Sequence, residues 1–302
     1  MKRFSRCVLL AVVWLALPVA AACAADIAPA IRVVRDIAYS AASAEPGRTL
    51  DLYLAEQDPG DRRPRPVVLF VHGGAWRKGD KSMVGAKPAA FVGQGYAFAS
   101  TNYRLADTVS PREQAQDVAE AIRWLHEHGG EHGCDPHRIF LMGHSAGAHL
   151  VALASTDETL LKGCDLDLAA IAGTILLDGA GYDVPRQLQL ARLPAMQEMY
   201  VRVFGADADA QRRASPIEHV GAGKSIPPFL LFHVGMRADS REQAEALATK
   251  LRDAGVAAEV VHAADKNHLT LNRELGATGD KPTNTILAWL REASASPSPA
   301  ER

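Results

Sequence analysis

Apolar and polar positions follow two different rhythms along this chain. Residues 31–40 and 49–55 alternate as strands with one exposed face do. Continuous apolar runs then alternate with segments of helical period, and such runs are typical of strands buried on both faces. This order predicts an α/β fold whose sheet is mostly parallel and doubly wound after an antiparallel start. The predicted strands span 31–40, 49–55, 67–71, 96–101, 138–142, 171–177, 228–233 and 258–262, and the predicted helices 111–127, 241–254 and 283–291.

One stretch, about residues 179–224, breaks the rhythm. It separates two predicted strands by far more than the usual few residues of a connection. Its apolar positions include Met196 and Met199, and Pro194 interrupts what would otherwise be one amphipathic helix. We predict an inserted helical cap over the edge of the sheet where ligands bind. The alternative is that these apolar residues only dock the insertion on the core. Tyr182, just past a strand end, either lines a pocket for substrate or packs in the core.

The first 24 residues differ from the rest. Lys2, Arg3 and Arg6 precede an uncharged run that ends at the small residues Ala22-Cys23-Ala24, which predicts a secretory signal peptide over residues 1–24. A retained membrane helix and a lipid anchor on Cys23 are the alternatives. With cleavage near Ala24, the expected location is secreted or periplasmic. One hydrolase domain would then span residues 25–292, and residues 293–302, rich in Ser, Pro and Ala, would form a disordered tail.

Charge and cysteine content narrow the classes of partner. Cleavage would remove three of the 33 basic residues and none of the 35 acidic ones, which leaves a net charge of −5. This balance argues against a nucleic-acid or anionic-membrane partner. Cys134 and Cys164 remain, each just before one of two neighbouring strands. In an oxidising compartment they either pair as a disulfide or stay as two free thiols. The oligomeric state is left open.

The segment Gly143-His144-Ser145-Ala146-Gly147 is the first sign of chemistry. It follows an apolar strand and precedes a helix-forming run. A strand that ends in Gly-x-Ser-x-Gly and runs into a helix is the nucleophile elbow of an α/β-hydrolase. The pattern therefore predicts that Ser145 is a nucleophile, exposed at the carboxyl end of a central strand and beside the N-terminus of a helix.

A serine nucleophile requires a base, and the base requires an orienting acid. In this fold the order along the chain is Ser, acid, His. Of the histidines after Ser145, His268 lies in a loop after the last strand, so we predict it as the base. The acid is expected after the strand 228–233, where Asp239 stands, with Glu242 as the fallback. Asp239 would hold His268 in the productive tautomer; the alternative role for Asp239 is a helix N-cap.

An oxyanion hole requires backbone N–H donors at the position where negative charge develops. The segment His72-Gly73-Gly74-Ala75-Trp76 follows the buried strand 67–71, and glycines let a backbone approach a carbonyl closely. We predict the N–H groups of Gly73, Gly74 and Ala75 as donors, together with that of Ala146. Trp76 either walls the substrate pocket or packs.

Metal and nucleotide motifs are weak or missing in the sequence. The histidine-rich stretch from His126 to His137 has no standard ligand spacing, which favours a solvated helix end over a metal site. The chain has neither a Gly-x-Gly-x-x-Gly pattern nor a phosphate loop. We therefore expect an enzyme that needs no cofactor and no metal.

Taken together, these motifs resemble the carboxylesterase and lipase group related to hormone-sensitive lipase. The resemblance is strongest to the branch of feruloyl-esterase-like and kynurenine-formamidase-like proteins, and it covers roughly residues 45–292. Two positions depart from that pattern: His233-Val234-Gly235, where His-Gly is commoner, and Asp239, which is displaced by one residue. The matching segments are His72-Gly73-Gly74-Ala75-Trp76, Gly79-Asp80-Lys81, Asn102-Tyr103-Arg104-Leu105, Asp117 through Trp124, Asp135-Pro136, Arg138-Ile139, Gly143-His144-Ser145-Ala146-Gly147, Ser215-Pro216, His268 and Asn272-Arg273.

The resemblance implies an α/β-hydrolase that cleaves short carboxylic esters, and in some members aryl formamides, without a cofactor. The sequence therefore predicts a secreted serine esterase that acts on a small-molecule ester of the short acyl, feruloyl or acetyl type. The triad would be Ser145, His268 and Asp239. An aryl formamidase or amidase with the same triad is the first alternative. A catalytically silent hydrolase fold that serves as a binding module is the second.

Overall fold

A computed structural model describes residues 30–40, 47–56 and 63–295. The predicted signal peptide, residues 1–24, lies outside these ranges. Within them one sheet of eight strands is formed, in the order β1-β2-β4-β3-β5-β6-β7-β8. The strands are β1 (Ile31–Ala38), β2 (Thr49–Ala55), β3 (Arg65–Val71), β4 (Ala97–Thr101), β5 (Cys134–His144), β6 (Ile171–Leu177), β7 (Phe229–Val234) and β8 (Ala258–Ala263).

Ten α-helices occur in the described ranges, most of them in the connections between strands. They are α1 (Lys87–Val92), α2 (Pro111–His128), α3 (Ala146–Thr156), α4 (Glu158–Lys162), α5 (Val184–Leu190), α6 (Pro194–Phe204), α7 (Ala208–Arg213), α8 (Ala238–Asp253), α9 (His268–Arg273) and α10 (Lys281–Ala295). α10 continues to Ala295, three residues into the segment predicted as a disordered tail; residues 296–302 lie outside the described ranges.

The sheet confirms the predicted antiparallel start and parallel continuation. β1 pairs with β2 and β2 with β4 in antiparallel register, and every later pairing, from β3–β4 to β7–β8, is parallel. The central strands are mostly apolar because helices cover both faces of the sheet. All five residues of β4 are buried, and so are the last six of β5. This part of the fold is the α/β-hydrolase architecture expected from the sequence.

Two apolar cores lie on opposite faces of the sheet. One contains Val118 of α2, Leu150 of α3 and Leu247 of α8; the other contains Phe91 of α1 and Ile286 of α10. Because parallel strands end at one edge, the loops after β3, β5, β6, β7 and β8 meet there, between the two cores. That edge carries the site described below.

The predicted insertion consists of α5, α6, α7 and a short 3-10 helix, Pro216–His219. Each α-helix begins with its own signal: Asp183 caps α5, Asp207 caps α7, and Pro194 is the first residue of α6. The insertion packs on the first core through Tyr200, Val203 and Phe204.

Cys134 and Cys164 are both buried and unpaired, which is the free-thiol alternative. Within the described residues, no helix is both long and apolar enough to cross a bilayer.

Candidate active site

Ser145 stands at the turn between β5 and α3, as predicted. Its backbone has φ 55° and ψ −118°, a strained conformation for a residue with a side chain. The turn is this tight because its flanks are glycines. A Cβ on Gly143 would collide with the Gly147 backbone, and a Cβ on Gly147 would collide with the Val71 carbonyl. The strain points the Ser145 side chain into a pocket at the edge of the sheet.

His268 reaches Ser145 from the loop after β8. Its Nε2 lies 3.1 Å from Ser145 Oγ. Asn267 caps α9 by accepting from the N–H groups of Leu269 and Thr270, so His268 is held as the first helical residue. The His144 imidazole stacks on the His268 ring at 4.6 Å between centroids, and its Nε2 lies 2.8 Å from the His268 carbonyl oxygen. These contacts restrict the orientation of the His268 ring.

The far end of α9 rests on a buried lysine. Lys87 Nζ donates to the Asn272 carbonyl at 2.7 Å and lies 4.8 Å from the centre of the Phe70 ring. Burial lowers the pKa of Lys87 to about 8. A cation at the C-terminal end of a helix satisfies its free carbonyls, and here it steadies the helix that carries the base.

Asp178 supplies the carboxylate that meets the His268 ring. It follows the last residue of β6, and its Oδ2 lies 2.5 Å from His268 Nδ1. Its other oxygen accepts from Ser240 Oγ at 2.5 Å and from the Val234 N–H at 3.3 Å. Burial by itself would raise the pKa of Asp178, but the hydrogen bonds from His268 and Ser240 and the charge of Arg237 outweigh it and lower the pKa to about 2. A carboxylate only accepts, so Nδ1 carries the proton and Nε2 is free to face Ser145.

Asp239, the residue predicted from spacing, lies elsewhere. Its Oδ2 accepts from Arg237 Nη2 and from Gln187 Nε2, both at 3.1 Å. The loop after β7 therefore places the guanidinium of Arg237 near His268. The carboxylate that contacts the His268 ring is that of Asp178, in the loop after β6. The fallback, Glu242, is exposed and pairs with Arg186.

The sequence did contain a signal for Asp178. A carboxylate directly after a strand next to the nucleophile strand ends at the same edge as Ser145, and a glycine follows it. Arg237, two residues before Asp239, is a further signal that the β7 loop departs from the usual pattern. The φ of 47° at Asp178, which turns the chain toward the site, is visible only in the structure.

The predicted oxyanion segment lies beside Ser145. Gly73, Gly74 and Ala75 line the same pocket as Ser145. Gly74 has φ 134°, and a Cβ there would collide with the Lys78 carbonyl, so the turn requires glycine. Ala146 is the first residue of α3, and the first N–H groups of a helix have no partner within it. Backbone donors from two loops thus border the position of the Ser145 hydroxyl.

The pocket has a volume of about 650 Å³ and a largely apolar wall. Trp76 lines it, and α6 contributes Met196, Met199 and Tyr200, so the cap faces the nucleophile. Tyr182, predicted as a second lining candidate, is instead buried in the first core near Gly179. Met83 and residues of α9 also line the pocket.

The histidine-rich stretch makes ordinary polar contacts. His126 Nδ1 lies 3.0 Å from the Pro136 carbonyl oxygen, and His128 Nδ1 lies 3.2 Å from a Glu131 carboxylate oxygen. Among the residues that the structure describes, no group of three or more His, Cys, Asp or Glu side chains is arranged to hold a metal ion.

Comparison with known proteins finds that the chain is similar to esterases. The BD-FAE family matches residues 50–175. A probable isoprenylcysteine alpha-carbonyl methylesterase of Arabidopsis thaliana is 28% identical over 75% of this chain and 49% of its own length. Esterase LipC of Mycobacterium tuberculosis is 31% identical over 63% of this chain and 48% of its own length. The chain thus spans about half the length of these relatives.

Solved structures give the same fold. An inhibited form of esterase B from Lactobacillus rhamnosis superposes with a TM-score of 0.72 at 23% identity and covers 88% of each chain. The topology, the elbow and the sequence matches agree with the resemblance noted from the motifs. The chain therefore has the α/β-hydrolase fold, and its sequence is similar to esterases of the group that is related to hormone-sensitive lipase and includes the BD-FAE family.

Proposed function

We propose that this chain is a serine hydrolase of carboxylic esters, with Ser145 as nucleophile, His268 as base and Asp178 as acid. The observation that carries the proposal is the relay of two short contacts, 3.1 Å from Ser145 Oγ to His268 Nε2 and 2.5 Å from His268 Nδ1 to Asp178 Oδ2. Aligned in this way, the neutral imidazole takes a proton from the hydroxyl and the carboxylate stabilises the resulting imidazolium.

The reaction divides into acylation and deacylation. Ser145 Oγ attacks the ester carbonyl as His268 Nε2 accepts its proton. Backbone N–H groups of Gly73, Gly74 or Ala75 and of Ala146 hold the oxyanion. His268 then protonates the leaving alcohol, and an acyl group remains on Ser145. Water, deprotonated by the same ring, releases the acid and restores the serine.

The two sides of the pocket suggest separate places for acyl group and alcohol. The alcohol must leave near His268 Nε2, on the side where Met83 and Leu269 line the pocket. Both side chains are largely exposed, so this side accepts alcohols of varied size. We place the acyl group toward Trp76 and Met199, which line the same pocket. Flexible methionines in this wall accommodate apolar acyl groups of varied shape.

The direct test compares the wild type with Ser145→Ala on p-nitrophenyl acetate and p-nitrophenyl butyrate. We expect the variant to lose at least about 10⁴-fold in kcat, on the order of the losses found when a triad member is removed. A fluorophosphonate probe should label the wild type and not the variant. Equal rates and equal labelling in the two proteins would refute the proposal.

The substrate is addressed by a panel of esters and amides. The panel includes a feruloyl ester, an acetylated sugar, N-formylkynurenine and, because of the name of the Arabidopsis relative, an isoprenylcysteine methyl ester. The apolar acyl side favours esters, and a higher kcat/KM for the formamide would instead support the aryl formamidase alternative.

We further propose that the protein is exported, because residues 1–24 combine a basic start, an apolar run and a small-residue cleavage site. Mass spectrometry of the mature protein should find an N-terminus near Ala25. An intact Met1 in protein recovered from the cell envelope would support a retained anchor instead.

A further inference from the structure

Arg237, in the loop between β7 and α8, lies against the proposed triad. Its Nη1 is 3.0 Å from Asp178 Oδ2, 3.2 Å from the Asp178 carbonyl oxygen and 3.0 Å from His268 Nδ1. Since Nδ1 donates its proton to Asp178, two donor nitrogens face each other in the last contact and form no hydrogen bond. Arg237 therefore acts on the His268 ring through its charge.

That charge is only partly screened by water. The Arg237 side chain is 20% exposed and that of Asp178 is 0% exposed. Charges this close interact strongly when they are partly removed from water. A guanidinium at this distance opposes the formation of an imidazolium on His268, which is the charge that catalysis requires.

Asp239 balances the charge of the Arg237 guanidinium by pairing with its second terminal nitrogen. Its Oδ2 accepts from Arg237 Nη2 at 3.1 Å. Arg237 is thus held between two carboxylates, those of Asp178 and Asp239. The three side chains together carry one negative charge, the same as the single aspartate of an ordinary triad.

Other charged or titratable groups near His268 and Arg237 come from five further segments. From α6, Tyr200 interacts with Arg237, and burial raises the pKa of Tyr200 to about 12, so it is neutral at pH 7. From β5, His144 stacks on the ring, and burial, reinforced by the nearby His268, lowers its pKa to about 3, so it is neutral at pH 7. From α1, Lys87 binds the Asn272 carbonyl at the far end of α9. Lys78 is exposed at the pocket. Lys266, before α9, is paired with Glu274 and Asp280.

We propose that Arg237 and Asp239 form a compensated charge pair that sets the proton affinity of the catalytic base: Arg237 opposes the imidazolium, and Asp239 cancels much of that opposition. Both are positioning residues that act through His268. This inference rests on the proposed hydrolase function. It explains why the first turn of α8 carries an aspartate that does not touch the imidazole.

The proposal makes opposite predictions for the two members of the pair. In Arg237→Gln the two carboxylates remain, so the acidic limb of the kcat/KM profile moves to higher pH by about 0.5 to 1 unit. In Asp239→Asn the guanidinium is no longer balanced, so the limb moves to lower pH by a similar amount. Arg237→Lys keeps the charge and should restore most of the wild-type position. Glu242→Gln, which removes a more exposed carboxylate on the same helix, is the matched control and should leave the limb unchanged.

The measurement is kcat/KM for p-nitrophenyl butyrate between pH 4 and 9, with circular dichroism to confirm folding. The inference is overturned if the acidic limb of the kcat/KM profile moves in the same direction in Arg237→Gln and Asp239→Asn, or if it does not move. If Arg237→Gln does not fold, Asp239→Asn and Arg237→Lys decide. An inactive wild type would instead refute the proposed function, so the two failures are distinguishable.

Discussion

At the scale of the single residue, the buried carboxylate of Asp178 is the feature on which the site depends. A carboxylate stays charged out of water only when its oxygens are satisfied. Ser240 and the Val234 N–H serve one oxygen of Asp178, and Arg237 and His268 serve the other. With a pKa lowered to about 2, Asp178 is ionised throughout the neutral range. It is therefore able to hold the Nδ1 proton of His268 at any pH at which the base works.

Substitution of Asp178 by Asn tests this role. The amide presents a donor or a weaker acceptor to Nδ1, so the productive tautomer and the imidazolium both lose support. We expect kcat to fall by roughly 10³- to 10⁴-fold, the size of the effect of removing a triad acid. Asp239→Asn should cost less than about tenfold at the pH optimum. The reverse order in steady-state kinetics would make Asp239 the acid.

At the scale of the element, residues 73–76, which we propose to contribute to the oxyanion hole, are held by a chain of buried contacts. Gly74, Ala75 and Trp76 have φ of 134°, 52° and 61°, a run that is costly for residues with side chains. Trp76 Nε1 donates to His149 Nδ1 at 3.1 Å, and His149 Nε2 lies 2.7 Å from the Ala214 carbonyl oxygen. The Trp76 indole also meets Phe204 of α6 at 4.9 Å between ring centroids. The loop, the helix after the nucleophile and the cap are thus connected through one indole ring.

His149→Phe would leave the indole N–H without an acceptor in a buried place. An unpaired buried donor costs about 1 to 3 kcal/mol, and the loop can avoid that cost only by shifting. We expect kcat to fall about tenfold with little change in KM, and Trp76→Phe with His149→Phe should cost no more than the single variants. Lower thermal stability with unchanged kcat would show that other contacts set the loop.

The cap helix α6 is expected to set the acyl preference. Met199 lines the pocket, whereas Leu193, just before α6, is exposed and not part of its wall. Met199→Ala should raise kcat/KM for octanoyl relative to acetyl p-nitrophenyl esters severalfold, because the removed side chain leaves room for a longer chain. Leu193→Ala is the matched control. Unchanged ratios in Met199→Ala would place the acyl group elsewhere.

At the scale of the whole molecule, the sequence predicted those parts of the structure that depend on which residues are buried. Strands β3, β5, β6 and β7 are apolar because they are covered on both faces, and the carboxyl ends of parallel strands meet at one edge, so Ser145, His268 and the glycines after β3 were expected together. The acid was not expected at Asp178, because spacing alone does not say which strand end turns toward the base. Element ends were also missed: β5 begins at Cys134 and α8 at Ala238, where main-chain hydrogen bonds extend elements beyond their apolar positions.

Two buried neutral histidines should make the whole molecule sensitive to acid. Burial lowers the pKa of His144 to about 3 and that of His149 to about 4, from an ordinary value of 6.5. As the pH falls below about 6.5, the unfolded chain takes up protons that the folded protein excludes, so the free energy of unfolding decreases until the pH reaches the folded-state values. Asp178, with its lowered pKa, adds to this loss only below about pH 4.

Replacement of His149 by Gln removes one of these contributions. A group of this kind contributes up to about 1.4 kcal/mol per pH unit between its unfolded and folded pKa values. From pH 7 to pH 5 the wild type should therefore lose roughly 1 to 2 kcal/mol more than His149→Gln, as measured by urea unfolding at each pH. The exposed His137→Gln is the control and should lose as much as the wild type. Equal losses in wild type and His149→Gln would mean that His149 becomes protonated in the folded protein, with the Trp76 contact broken well above pH 4.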